Sequence, residues 1–284
     1  MLLAIPNVSE GRDASAMEAI GAAFDARLLD VHFDPDHHRS VFTLAGAAGS
    51  LADAVCRGAA EVIRRVDVTR HEGIHPRVGA IDVAPIVYLD PADRGAACAE
   101  ALVLGDLLGQ NLELPVFMYG ELAQGRTRAE LRRGGPAALA QRIDAGELRP
   151  DFGPRRLHPS AGAVLVAARP PLVAFNVELA SPATLEDAKA IAARIREGGA
   201  EGLPGVRAIG LWLDARGVAQ VSTNVENHRR VPLAEVVAAI ARDAAPSRAE
   251  LVGLAPQAAF EGFPDDLPVA NRRTVEDALA GAGA

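Results

Sequence analysis

The sequence predicts an α/β (α+β) fold of two ferredoxin-like subdomains with mixed sheets, and three observations carry that prediction. Residues 2–88 read strand, helix, strand, strand, helix, strand, which is the split βαβ order. Residues 172–254 repeat the same order without detectable sequence identity to the first half. Between them Arg169-Pro170-Pro171 forms a stiff crossover, so the subdomains are placed at 1–169 and 170–284. Clefts between subdomains favour ligands, and the loops at 70–82 and 151–162 are expected to face such a cleft.

Taken in order, Leu2 to Ile5 is a short apolar strand, and Pro6 to Arg12 reads as a turn able to offer backbone N–H groups to an anion. A helix is expected over 14–24 and strands over 26–32 and 41–45. Leu51, Val55, Ala59, Val62, Ile63 and Val66 recur at helical spacing, so 50–66 is an amphipathic helix with Ser50 as its cap. Residues 81–88 form a strand. A helix over 91–109 is expected to turn Leu102, Val103, Leu107 and Leu108 to the core, and 115–119 is a strand. From Gly120 to Pro159 the chain is rich in Arg and Gly. Helical pieces at 128–133 and 137–143 read as a solvated Arg face, whereas 149–154 is a turn-rich loop whose Arg neighbours suit carboxylates. Strands at 163–168 and 172–179, a helix at 182–197 and a hairpin of 206–213 with 218–224 follow. A helix at 233–244, a strand at 250–254, short helical pieces from 256 and a frayed end at 280–284 complete the chain.

The 284 residues are 49% hydrophobic and 23% charged, an ordinary globular composition. A formal charge of -8 lacks the basic field of a nucleic-acid binder. Cys56 and Cys98 both fall in expected helices and read as reduced thiols rather than a disulfide. With no basic leader before the first strand and no apolar run of membrane-spanning length, a cytoplasmic protein is expected.

The densest chemistry lies in Arg70-His71-Glu72-Gly73-Ile74-His75-Pro76-Arg77-Val78-Gly79-Ala80-Ile81-Asp82. His71 to His75 matches the zinc-protease pattern H-E-x-x-H, which requires a helix. Gly73 is a poor helix former and Pro76 drives His75 out of the α region, so this segment is expected not to be a zinc helix. His75 is the foremost acid/base candidate, held by Pro76, flanked by Arg77 and followed by Asp82, which could orient its ring; a structural His bonded to a loop carbonyl is the alternative. In a second cluster, Asp34, His37 and His38 suit either a metal or, more commonly, a solvated turn. Walker, Rossmann and nucleophile-elbow patterns are absent. The residues alone thus specify a two-subdomain α/β enzyme with acid/base chemistry on an anionic substrate.

Eight segments, in order, resemble the formiminotransferase family. They are Pro6 to Arg12, Asp34 to Thr43, His71 to Asp82, Tyr119-Gly120-Glu121, Pro150 to Pro154, Leu172 to Val177, Ala219 to Asn224 and Glu250 to Leu254. The resemblance is to the stand-alone type, without a cyclodeaminase half. It implies transfer of a formimino group from N-formimino-L-glutamate to N5 of tetrahydrofolate, a folate tunnel enclosed by two α/β subdomains, tetrahydrofolate as co-substrate without a metal, and a homodimer. It makes His75 the catalytic acid/base and maps a folate loop onto 153–162. The residues it implies for substrate binding are Asn7, Ser9, Arg39, Arg77, Asp82, Asp151, Phe152, Gly153, Pro154, His158, Gly162 and Asn176.

Three departures from the family pattern bear on donor or acceptor rather than on the fold: Ile74 where Glu is expected, Glu72 where Lys or Gln is usual, and a more basic loop at 155–161. Two other readings accompany the transferase. One is a metal-dependent hydrolase of a formimino compound using His71, His75 and His37, and the other a non-catalytic folate-binding relative.

Overall fold

The computed structural model describes residues 1–73 and 75–281. The expectations attached to Ile74 and to residues 282–284 lie outside the described residues. The chain divides into two compact units, one spanning Met1–Pro170 and the other beginning at Pro171.

The first unit runs β1 (Leu2–Ala4), β2 (Asn7–Val8), α1 (Ala14–Ala23), β3 (Arg27–Asp34), β4 (Arg39–Gly46), α2 (Leu51–Arg65), β5 (Ile81–Tyr88), α3 (Arg94–Asn111), β6 (Val116–Met118), α4 (Arg128–Arg132), α5 (Gly135–Asp144) and β7 (Val164–Arg169). β1 and β2 both lie between β4 and β5, and β3 flanks β4, all antiparallel. That is the ferredoxin-like order. Two parallel strands, β7 and then β6, extend the sheet beyond β5.

The expected turn at residues 6–12 is corrected at its start: Asn7 and Val8 are strand, Asn7 pairing with Val41 and Val83, and the Ser9 N–H donates to the Ala80 carbonyl at 2.7 Å, while residues 9–12 lie outside any strand.

One face of the sheet packs on α1, α2 and α3 through Ile20, Phe42, Leu44, Leu51, Val55, Ile86, Leu104 and Leu108, all buried. The other face of β5, β7 and β6 packs on α4 and α5 through Val83, Phe117, Leu131, Leu139, Ile143 and Leu165. Two details differ from expectation. On α3 the buried side is Ala97, Ala101, Leu104, Gly105 and Leu108, while Leu102 and Val103 are 43% and 53% exposed. Gly105 faces inward against Phe152: a Cβ there would lie 2.8 Å from the Phe152 ring. Nor does Ser50 cap α2; its hydroxyl donates to the Ala47 carbonyl, and Glu100 of α3 accepts the Ala52 N–H at 2.6 Å and that of Gly49.

The second unit runs β8 (Val173–Leu179), α6 (Leu185–Ile195), β9 (Val206–Leu213), β10 (Val218–Val225), α7 (Leu233–Ala241), β11 (Pro246–Val252), β12 (Val269–Ala270) and α8 (Val275–Gly281). Its sheet order is β12-β11-β8-β10-β9, with the ferredoxin-like order in the last four. β11 starts four residues before the expected strand, α7 stops at Ala241, and the tail contributes the parallel strand β12 as well as helix. Val173, Phe175, Val177, Val221 and Leu251 pack with the helices. Strand alternation sends Asn176, Glu178, Gln220 and Glu250 to the opposite face, where all four are buried. Among the described residues no helix is long and apolar enough to cross a membrane.

Candidate active site

A buried acid lies at the centre of the first unit's polar cluster. Asp82, on β5, has a fully buried side chain. Its Oδ2 accepts from Arg39 Nη1 at 2.7 Å and from Arg132 Nη2, and its Oδ1 accepts the Val78 N–H at 2.8 Å. Burial alone would raise its pKa; the guanidiniums of Arg132 and Arg39 and these hydrogen bonds outweigh it and hold the carboxyl below the usual range. Burial also pushes Arg39 down to about 10 against the pull of Asp82.

Local structure delivers each partner. Asp34 Oδ1 accepts the Asp36 and His37 N–H groups at 2.7 and 2.9 Å, closing the turn that leads into β4 and Arg39. Asn7 Oδ1 accepts from Nε and Nη2 of Arg39 at 3.2 and 2.9 Å, and Asn7 Nδ2 donates to the Ile5 carbonyl. Arg132 sits in the last turn of α4, started by a Thr127–Glu130 capping box and stopped by left-handed Gly134 and Gly135. Arg142 of α5 donates to the Glu130 and Leu131 carbonyls, fastening the end of α4.

His75 follows in the loop before β5. The residue is partly exposed, but its Nδ1 is shut from solvent and has no hydrogen-bond partner among the described residues. The His37 ring lies 6.1 Å away, centroid to centroid. Burial first, then the charges of Arg39 and Arg132, push the His75 pKa well below its ordinary value, so the ring is neutral near neutrality. The expected orienting contact from Asp82 does not form, because both of its oxygens serve Arg39, Arg132 and Val78.

The rest of the loop is fixed from both sides. His71 Nδ1 accepts the Gly73 N–H at 3.0 Å, which leaves Nε2 to donate to the His38 carbonyl at 2.8 Å, and the two imidazoles stack at 4.3 Å. Arg77 donates to the carbonyls of Gly73 and His71 at 3.2 and 2.5 Å. The H-E-x-x-H segment is not helical on either side of residue 74, and both His71 nitrogens are engaged. In the second cluster, Asp34 caps its own turn and His38 Nδ1 accepts the Gly11 N–H at 3.1 Å. Among the described residues no three His, Cys, Asp or Glu side chains are grouped to hold a metal ion.

The 151–162 segment meets this loop at its end. Gly79 and Gly162 bridge the two segments, with Ala80 N–H to Ala161 O at 2.8 Å and Ala163 N–H to Val78 O at 3.0 Å. Only glycine permits the approach: a Cβ on Gly79 would stand 1.9 Å from the Ala163 carbonyl oxygen. Ser9 adds a hydroxyl donated to the Gly79 carbonyl at 2.8 Å, and His158 Nδ1 accepts the Ala161 N–H at 3.1 Å within its own turn.

The start of the segment lies elsewhere, on the β6 edge two strands from β5. There Asp151 accepts from the Met118 N–H and from Arg126, Phe152 pairs with Val116, and Gly153 presses against the Leu114 carbonyl. Pro154 is half-buried in the turn that follows. Asn176 belongs to the second unit, on β8, opposite Ser222 and Glu250.

The structure thus gathers Asn7, Ser9, Arg39, His75, Arg77, Asp82 and, through the glycine bridge, His158 and Gly162. It does not bring Asp151, Phe152 or Gly153 to His75. Arg132, expected on a solvated face, is the residue the sequence reading missed. The signal for it was the lone acid within the apolar run Ile81 to Tyr88, which had to find a buried cation.

Comparison with known proteins identifies the family. The model of the formiminotransferase domain's N-terminal subdomain matches residues 1–169, and the formiminotransferase domain model matches 174–261. The glutamate formimidoyltransferase of Thermoplasma acidophilum is 34% identical over 90% of this chain and 88% of its own length. That of Streptococcus pyogenes is 33% identical over 90% and 89%. The formimidoyltransferase-cyclodeaminase of Sus scrofa is 36% identical over 89% of this chain but 49% of its own length, so the chain spans about half of that relative. The chain belongs to the formiminotransferase family.

Proposed function

We propose that this protein is a glutamate formimidoyltransferase, moving the formimino group of N-formimino-L-glutamate to N5 of tetrahydrofolate and releasing L-glutamate. The observation that carries the reading is His75: a neutral imidazole with a buried, unpartnered Nδ1 beside a cluster of net positive charge. Relatives named glutamate formimidoyltransferase that align over nearly their whole length support it.

The chemistry asks for one proton to be moved. As the N5 lone pair attacks the amidine carbon, a new C–N bond forms and a tetrahedral intermediate results. His75 accepts the proton that N5 loses. It then returns that proton to the glutamate nitrogen as the bond from carbon to that nitrogen breaks, the electron pair leaving with nitrogen. A depressed pKa keeps His75 in the base form at the start. Arg39, Arg132 and Arg77 supply a positive field for the anionic substrates, and Asp82 holds two of these cations in place.

In the same reading Ser9, His158 and Gly162 shape the wall of the acceptor site, with Asp151 to Pro154 contributing farther along it. The two units act as subdomains of one enzyme, working as a cytoplasmic homodimer on small-molecule substrates. The test is glutamate release from N-formimino-L-glutamate with and without tetrahydrofolate. Release that depends on tetrahydrofolate and yields its 5-formimino derivative is expected. Release at the same rate without it means a hydrolase and overturns the reading.

A further inference from the structure

Three arginines surround the His75 loop, and their hydrogen bonds separate them. Arg77 spends both terminal nitrogens on loop carbonyls. Arg39 uses Nη1 on Asp82 and its Nε and Nη2 on Asn7. Arg77 and Arg132 each keep a buried Nε with no hydrogen-bond partner among the described residues. Arg132 differs in that, among the described residues, Nη2 alone is engaged, on Asp82, so that Nε and Nη1 together remain for a ligand. A guanidinium carries five N–H donors in a planar fork suited to a carboxylate. Leaving a buried donor unmatched is costly.

Charge points the same way. Arg39 and Arg132 flank one carboxylate, all three buried or nearly so, with side-chain exposures of 10%, 13% and 0%. One positive charge is therefore unbalanced where water cannot easily screen it. A second carboxylate would balance that charge and offer the acceptor that Nε lacks. The place is close to the reacting centre: Asp82 accepts the Val78 N–H, three residues along the chain from His75.

The substrate chemistry selects which carboxylate. In the formimino donor the nitrogen that departs is attached to the carbon bearing the α-carboxylate, so this group must come within a few ångströms of the proton shuttle. The acceptor carries its carboxylates on a glutamyl tail, at the opposite end of the molecule from N5. An anion subsite beside His75 therefore serves the donor.

We propose that Arg132, backed by the Asp82–Arg39 pair, binds the α-carboxylate of the formimino donor and so sets donor specificity. The proposal rests on the transferase reading above and identifies a residue role within it.

The test uses the full chain and two ligands, L-glutamate, the released product, and 4-aminobutyrate, which is glutamate without its α-carboxylate. Binding is measured by calorimetry for wild type, Arg132→Met and Arg132→Lys, with circular dichroism to confirm folding. Wild type is expected to prefer L-glutamate. Arg132→Met should weaken L-glutamate by roughly 10- to 100-fold, the scale of a charge-assisted hydrogen bond, and leave 4-aminobutyrate unchanged. In steady-state transfer the KM for the donor should rise by a similar factor while that for tetrahydrofolate stays level. Arg132→Lys keeps a charge for Asp82 but loses the fork, and should still lose about 10-fold for L-glutamate; it decides the matter should the Met variant not fold. Undiminished L-glutamate affinity in the folded variants, or a wild type indifferent to the α-carboxylate, overturns the proposal. The two readings fail separately. Arg132-dependent glutamate binding in a wild type that forms no 5-formimino product would uphold the subsite and reject the transferase. Normal transfer with an unaffected Arg132→Met would do the reverse.

Discussion

Replacing Asp82 by Asn tests the buried charge cluster most sharply, because it keeps the shape of the side chain and an oxygen for the Val78 N–H while deleting the charge between Arg39 and Arg132. With an effective dielectric near 20, each attraction at about 4 Å is worth about 4 kcal/mol, and the two guanidiniums repel each other. Deleting the carboxylate removes about 8 kcal/mol of attraction and leaves the repulsion. The several kcal/mol no longer spent on desolvating the acid offset part of this, leaving about 3–5 kcal/mol, the range for breaking a buried pair.

Arg132→Met should cost much less, since Arg39 and Asp82 remain as a matched pair. Adding Arg132→Met to Asp82→Asn should restore part of the loss by removing the repulsion. The only tryptophan, Trp212, lies in β9 of the second unit, so its fluorescence reports the wrong region. Urea dependence of amide hydrogen exchange in β4 and β5 is the suitable assay. An Asp82→Asn protein within about 1 kcal/mol of wild type would refute the electrostatic account.

Other predictions concern pH and packing. Burial holds the folded-state pKa of His75 well below its ordinary value, so the unfolded chain takes up the proton more readily. Its stabilising contribution is then full above pH 6.5 and lost as pH falls toward the lower folded value. Because His32, His38 and His71 are depressed by burial as well, His75→Gln should lessen the acid slope, by at most about 1.4 kcal/mol per pH unit, without abolishing it; an unchanged slope in denaturation midpoints would contradict the burial of this ring. Gly79→Ala places a methyl group against the Ala163 carbonyl, so it should destabilise the first unit by more than about 2 kcal/mol and remove transfer, as seen by thermal unfolding and assay. Wild-type stability and full activity in that variant would mean the 79–162 contact is looser than described.

Much of this architecture is legible in the chain because buried strands and helices carry periodic apolar residues, as in β4, β5 and α2. The loop around His75 is legible too, since Gly73 and Pro76 forbid the helix that H-E-x-x-H would need. What periodicity does not reveal is which member of a uniform run turns inward. Arg126, Arg128, Arg132, Arg133 and Arg142 look alike in sequence. Arg132 is selected by the capping box that starts α4, the glycines that stop it, and an acid fifty residues away. α3 misleads for the complementary reason: Leu102 and Val103 face out while Leu104, Leu108 and Gly105 face in, the glycine leaving room for the Phe152 ring. Such choices depend on tertiary packing, which overrides local pattern.

The central claim is that His75 carries the proton in formimino transfer. It is tested most directly by the rate of 5-formiminotetrahydrofolate formation in wild type and in His75→Ala, with folding verified for both. The account predicts product from wild type and a fall of about 10²- to 10⁴-fold in kcat for the variant, the range for a lost general acid/base, with L-glutamate still bound. Transfer at the wild-type rate by a folded His75→Ala protein would contradict it.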